Sequence, residues 1–217
     1  MKIALLCESD ADQDGLFVLI AGLLGLPVER YHPRLQSRRG WNGVLAVLPS
    51  VYKALHFNQL EVEGLVIAAD TDDSPLHTRA HEVPGAEEPA CRLCAMRRVL
   101  AEAGRFLPPR AQARPLRVAL GLAVPAIEAW WLFGQNPHVS EACWAQRGQP
   151  GACPYTRASL KEEIYGSKRP TTEAMRQIAK REARRLVDEG RLQALEQYFP
   201  MGLGALAEGL RAWRTAP

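Results

Sequence analysis

Carboxylates stand where apolar runs end in this chain. Glu8 follows the run Ile3–Cys7, and Asp70, Asp72 and Asp73 follow the run Leu65–Ala69. Glu128 lies inside PAIEAWWLFG, residues 125–134, between Ile127 and the apolar sequence Ala129–Trp130–Trp131. Like charges this close repel, so stability alone gives no reason for them. Each has an ordinary reading. Glu8 or Asp10 can cap a helix, an aspartate of the 70–73 group can sit in a turn, and Glu128 can favour a helix N-terminus. Together they have a second reading. Mg2+ takes one or two carboxylates along with water and phosphate oxygens, and a carboxylate in apolar surroundings needs a partner. Glu8, Asp70, Asp72, Asp73 and Glu128 are therefore candidate ligands for Mg2+ or Mn2+. Paired ions of this kind activate water and stabilise a leaving oxygen.

A second set of residues suits a softer metal. Cys91 and Cys94 form C-x-x-C, and Cys143 and Cys153 follow further along. Four thiolates could hold a structural Zn2+, with His77, His81 and His138 as substitutes; unrelated reduced thiols are the alternative. Cys7 closes an apolar run and reads as a buried filler. Basic residues form a third set. Arg176, Lys180 and Arg184 recur at four-residue spacing, flanked by Arg181 and Arg185. Such a stripe could follow a phosphate backbone or simply face water. Lys161, Lys168 and Arg169 lie in LKEEIYGSKR, and Lys168 is a candidate catalytic group because a lysine near a scissile phosphate stabilises developing charge.

The elements that must position these groups alternate in period. Strands are expected over 2–7, 27–32, 63–69 and 116–122, and helices over 12–24, 41–57, 90–103 and 126–133. That order predicts an α/β fold with a mostly parallel four-stranded sheet flanked by helices. Ligand sites of such sheets lie beyond the carboxyl ends of the strands, where Glu8 and Asp70 fall. After about residue 154 the strands stop. Helices are expected over 156–164, 171–188, 189–199 and 203–213, with Pro170, Gly190 and Pro200 between them. Trp130, Trp131 and Trp213 sit in helical apolar patterns and read as core. Residues 74–90 and 135–155 read as insertions, so the expected organisation is a core over 1–134, a Cys-containing insertion over 135–155 and a helical extension over 156–217.

Glu8 after the first strand, D-x-D at Asp70 and Asp72 after the third, and the P-x-x-E-A-W element at 125–130 together resemble the Toprim domain. The likeness is to small Toprim-like proteins related to OLD-type nucleases and encoded near bacterial defence genes. It covers roughly residues 1–134, with Ser9 standing where the family usually has Gly. The resemblance implies a Mg2+-dependent nuclease cutting DNA or RNA, with Glu8 as general acid/base or ligand, Asp70 and Asp72 as metal ligands and Glu128 as a further one. The nuclease is the leading expectation, and a non-catalytic Toprim-like partner or sensor subunit of a larger assembly is the alternative to it.

Composition narrows the class. Residues 61–88 carry eight acids against one Arg, whereas 92–117 carry seven Arg against one Glu. An acidic spot beside basic segments suits a cation site that meets a polyanion such as nucleic acid. No apolar run approaches the roughly 18 residues of a membrane span, and the first run is too short for a secretory signal, so a cytoplasmic, membrane-free setting is expected. No phosphate-binding G-x-x-x-x-G-K-[ST] or dinucleotide G-x-G-x-x-G occurs.

Overall fold

The computed structural model describes residues 1–32, 40–57, 62–110 and 115–215. Four parallel strands form one sheet in the order β2-β1-β3-β4: β1 is Lys2–Cys7, β2 Glu29–Tyr31, β3 Gly64–Asp70 and β4 Arg117–Ala123. Strand alternation divides the core between two faces. Ile3, Leu5 and Cys7 of β1 point to one face with Val66 and Ala68 of β3, and Ala4 and Leu6 point to the other with Leu65 and Ile67.

The first face is covered by α1 (Asp10–Leu24) and α9 (Ala205–Thr215), through Leu16, Leu19, Ile20, Leu206 and Leu210, and α7 (Thr172–Asp188) packs against α1 through Ala179, Ala183 and Leu186. The second is covered by α2 (Gly40–Phe57) and α3 (Arg92–Gly104), through Val44, Leu48, Val51, Leu55, Leu93 and Met96. Helices of the C-terminal region thus share one core with the sheet.

Local signals set the helix ends. Ser9 caps α1, its hydroxyl oxygen accepting from Asp12 N, and Gly25 closes the helix in the left-handed conformation. Helix α2 runs through Pro49 although that residue has no N–H to give. The helix expected over 126–133 is a single turn, α4 (Glu128–Trp131). Within the 135–155 insertion a short helix forms, α5 (Glu141–Ala145), because Ser140 caps it. Helix α6 (Arg157–Tyr165) carries a capping box between Thr156 and Ser159. Helix α8 (Leu192–Tyr198) starts later than the expected residue 189, and a π-helical turn at Pro200–Gly204 leads into α9.

The sheet order has a consequence for function. From β1 the chain moves to β2 on one side and then to β3 and β4 on the other. The crossovers diverge between β1 and β3, which opens a crevice at the carboxyl ends of those two strands.

Candidate functional site

Glu8 leaves β1 into that crevice and Asp70 ends β3 beside it. Oε1 of Glu8 accepts the Asp70 N–H at 2.9 Å, and Oδ1 of Asp70 accepts the Ile127 N–H at 3.0 Å. Asp70 therefore ties the end of β3 to the segment leading into α4. That segment delivers Glu128, which is only 4 % exposed. Asp72 follows with φ of 51°, a left-handed conformation that an aspartate tolerates. Its N–H is held by the Pro125 carbonyl. Asp12, on the first turn of α1, completes the group, its Oδ2 accepting the Ser9 hydroxyl at 2.8 Å. A cavity of only about 10 Å3 lies among Glu8, Asp12, Asp70 and Ile127, room for a single water-sized particle.

Burial dominates the electrostatics here. It pushes Glu8, Asp70 and Glu128 above the ordinary carboxylate range and Asp12 up to about 7; Glu128 and Asp12 raise Asp70 further by repulsion. The chain answers with its own cations. Arg92 Nη1 lies 3.1 Å from Glu8 Oε1 and donates to the Asp70 carbonyl at 2.8 Å, while its Nη2 reaches Asp72 Oδ2 at 2.6 Å. Its guanidinium also stacks over Trp41, 5.1 Å from the ring centroid. Arg157 Nη2 reaches Asp70 Oδ2 at 3.0 Å and its Nη1 pairs with Asp72 Oδ1. Lys161 Nζ stands 3.8 Å from Glu128 Oε1, and Glu128 Oε2 is buried without a hydrogen-bond partner.

A second cluster lies at the start of α3. His77, His81, Cys91 and Cys94 each offer a donor atom, and all four atoms lie within 4.8 Å of one another. Among the described residues this is the sole group of three or more His, Cys, Asp or Glu side chains so placed. The Nδ1 atom of His77 is 3.5 Å from Cys91 Sγ and 3.6 Å from Cys94 Sγ, and His81 Nδ1 is 3.8 Å from Cys94 Sγ. Glu82 Oε1 lies 2.6 Å from His77 Nε2, and Arg97 holds the other Glu82 oxygen at 2.7 Å. Burial keeps His77 below its ordinary value and pushes the Cys91 thiol up to about 11.

The residues expected from sequence divide accordingly. Glu8, Asp70, Asp72 and Glu128 face one crevice, yet their oxygens are not drawn together as a ligand set. Asp73 is exposed in the turn, outside these contacts. Lys168 pairs with Glu162 at 3.4 Å on the exposed surface, and Lys161 is the lysine that meets Glu128. The four-cysteine zinc set does not assemble. Cys143 and Cys153 turn to carbonyls of their own loop, Ala152 and Tyr155, and imidazoles from the 74–90 segment join Cys91 and Cys94 instead. On α7, Arg176 pairs with Asp14 and Glu173, and the flanking Arg181 and Arg185 with the buried Glu182, whereas Lys180 and Arg184 of the stripe make no ion pair with the described residues.

Sequence reasoning passed over Asp12, Arg92 and Arg157. Asp12 had a usable signal, a second acid one turn beyond Glu8; nothing near Arg157 marked it. The spacing H-x3-H before C-x2-C was also readable as a metal set.

Fold and site define an α/β protein, with a parallel four-stranded sheet flanked by helices and a His/His/Cys/Cys cluster able to coordinate a metal ion. No protein-family model matches the chain, and neither a curated protein nor a solved structure is significantly similar to it. The Toprim resemblance therefore rests on the motifs alone. Among the described residues, no helix is long and apolar enough to cross a membrane.

Proposed function

We propose that this chain is a metal-binding, non-catalytic subunit, a Toprim-like partner or sensor within a larger assembly. One observation carries the reading: the strand-end carboxylates are already met by the chain's own cations. Arg92 bridges Glu8 and Asp72, Arg157 bridges Asp70 and Asp72, and Lys161 faces Glu128. A catalytic Mg2+ needs those oxygens open. The donors that do lie together number four, and a site closed by four protein ligands is the structural kind. A docking role is supported by an apolar groove of about 470 Å3 lined by Leu76, Leu122, Val124, Ala142, Tyr198 and Met201. A cytoplasmic defence complex is the setting this proposal takes from the resemblance, and it suits free thiols. The test is incubation of the full chain with Mg2+ or Mn2+ and single- or double-stranded DNA and RNA. Cleavage no faster than that of Asp72→Ala is expected; cation-dependent cutting that Asp72→Ala abolishes overturns the reading.

The second reading, a Mg2+-dependent nuclease, has its own observation. Five carboxylates, Glu8, Asp12, Asp70, Asp72 and Glu128, face three cations, Arg92, Arg157 and Lys161, and Glu128 Oε2 is unpartnered. The surplus of carboxylates over cations and the buried, unpartnered Glu128 oxygen favour a cation at this edge. Asp70, Asp72 and Glu128 would hold it, and its chemistry would be activation of water and stabilisation of a leaving oxygen. In this reading Glu8 would orient the water, and Arg157 and Lys161 would be the cations available to a substrate phosphate. Isothermal titration with Mg2+ separates the two: the nuclease reading expects binding that Glu128→Gln weakens.

A further inference from the structure

The geometry points to one Zn2+ bound by His77 Nδ1, His81 Nδ1, Cys91 Sγ and Cys94 Sγ, and to that ion as the tether that keeps Arg92 in the acidic crevice. The second half rests on the reading of the crevice as closed by arginine.

Distance speaks first. With Zn–S of about 2.3 Å and Zn–N of about 2.0–2.1 Å, a tetrahedral site separates sulfur from nitrogen by roughly 3.5 Å. Three of the four sulfur–nitrogen separations are 3.5, 3.6 and 3.8 Å, and all four donor atoms lie within 4.8 Å of one another. The Glu82 carboxylate only accepts, so His77 Nε2 carries the proton and Nδ1 presents a lone pair. Both sulfurs sit at nearly equal distance from that one lone pair. A carboxylate on the far nitrogen of a metal-binding histidine fixes its tautomer and orients its ring, and Arg97 holds that carboxylate in turn. The segment itself needs a staple. Residues 78–90 are nearly all exposed and contribute no buried apolar side chain, so little but the cluster orders them.

The link to the crevice is covalent. Arg92 stands between the two thiols in Cys91-Arg92-Leu93-Cys94, on the first residue of α3. With both thiolates on one ion, the first turn of α3 is fixed, and from it the guanidinium reaches Glu8, Asp72 and the Asp70 carbonyl. Loss of zinc by chelation, with the thiols kept reduced, loosens this turn. Arg92 then leaves, and five carboxylates face only Arg157 and Lys161. The chain thereby reports the presence of the metal as a change of charge at the sheet's edge. Arg92 is a positioning residue in this scheme.

Two measurements on the full chain decide it. Metal analysis after purification should find about one zinc per chain, lost in Cys94→Ser and His81→Ala and kept in Cys143→Ser. Chains without zinc, or a requirement for Cys143, overturn the site. Arginine labelling with phenylglyoxal, mapped by mass spectrometry, then reads the tether. Arg92, 13 % exposed, should be protected in the zinc-loaded chain and several-fold more reactive after chelation under reducing conditions, while Arg30 on β2, 18 % exposed, stays protected. Protection of Arg92 in both states overturns the tether alone. Reactivity of Arg92 in the loaded chain overturns the closed crevice itself. Loss of protection at both arginines shows that zinc holds the whole fold, which also overturns a local tether.

Discussion

Arg157 Nη2 on the first turn of α6 lies 3.0 Å from Asp70 Oδ2 at the end of β3, 87 residues earlier in the chain. The helical region after the sheet therefore supplies part of the charge balance at the sheet's carboxyl edge. Removing this arginine leaves Asp70 and Asp72 facing each other with one cation fewer. Arg157→Ala should lose about 1–3 kcal/mol of stability in metal-free buffer, below the figure for a fully buried pair because Arg157 is a third exposed. Urea titration measures the loss, and unchanged stability contradicts the charge balance described.

Acidity at the crevice sets a pH dependence. The folded state raises Asp12 from 3.8 to about 7, chiefly by burial. A raised carboxylate contributes stability that is complete below its unfolded value and disappears as pH climbs through its folded one. From this group stability falls between about pH 4 and pH 7. Glu141, pushed up to about 7 by burial although Met201 and Gly202 N–H groups donate to it, acts in the same direction. Denaturation of Asp12→Asn beside the parent chain at pH 5 and pH 8 isolates the Asp12 share. The substitution should narrow the loss on going to pH 8, and parallel behaviour of the two proteins refutes the assignment.

Close packing of α1 against α7 depends on Gly15. A Cβ there would sit 2.9 Å from the Ala179 carbonyl oxygen and 2.9 Å from the Trp131 ring. Alanine gains up to about 1 kcal/mol in helix propensity. Neither neighbour can yield, since one is helix backbone and the other a fully buried indole, so overpacking of about 1–3 kcal/mol prevails. Gly15→Ala should lower the melting temperature, while Gly148→Ala, with open space around it, should leave it nearly unchanged.

Glu182 is a buried carboxylate on α7 that is fully answered. Arg181, Arg185 and Gln135 all donate to it, and Arg185 goes on to the carbonyls of Trp131 and Phe133 at the end of α4. Glu182→Ala strands those donors and loosens the turn that carries Glu128. A loss of about 2–4 kcal/mol is expected, together with faster hydrogen exchange at Leu132 and Phe133. Exchange that stays slow there dissociates the clamp from α4.

The sheet was readable because burial on both faces leaves an unbroken apolar run. Ile3–Cys7 and Leu65–Ala69 are apolar throughout, as strands covered on both sides must be, and the acids that end them mark the carboxyl edge. Ser9, Gly25 and the Thr156–Ser159 pair announce helix ends through local hydrogen bonds that need only neighbouring residues. What the cysteines bind was not readable in this way. Cys91 and Cys94 had two pairs of candidate partners, and the choice of His77 and His81 depended on where the 74–90 segment returned in space. The same holds for Arg157, whose surroundings in the chain say nothing of Asp70.

The amino-acid order by itself determined the strands, the helices after residue 154 and the placing of Glu8, Asp70, Asp72 and Glu128 at element ends, since periodicity and capping are short-range. Only the tertiary structure decided that arginines would fill the space between those acids and that imidazoles, not Cys143 and Cys153, would complete the sulfur pair. Long-range Coulomb attraction and donor geometry act between residues that chain distance does not relate, and packing settles which of them meet.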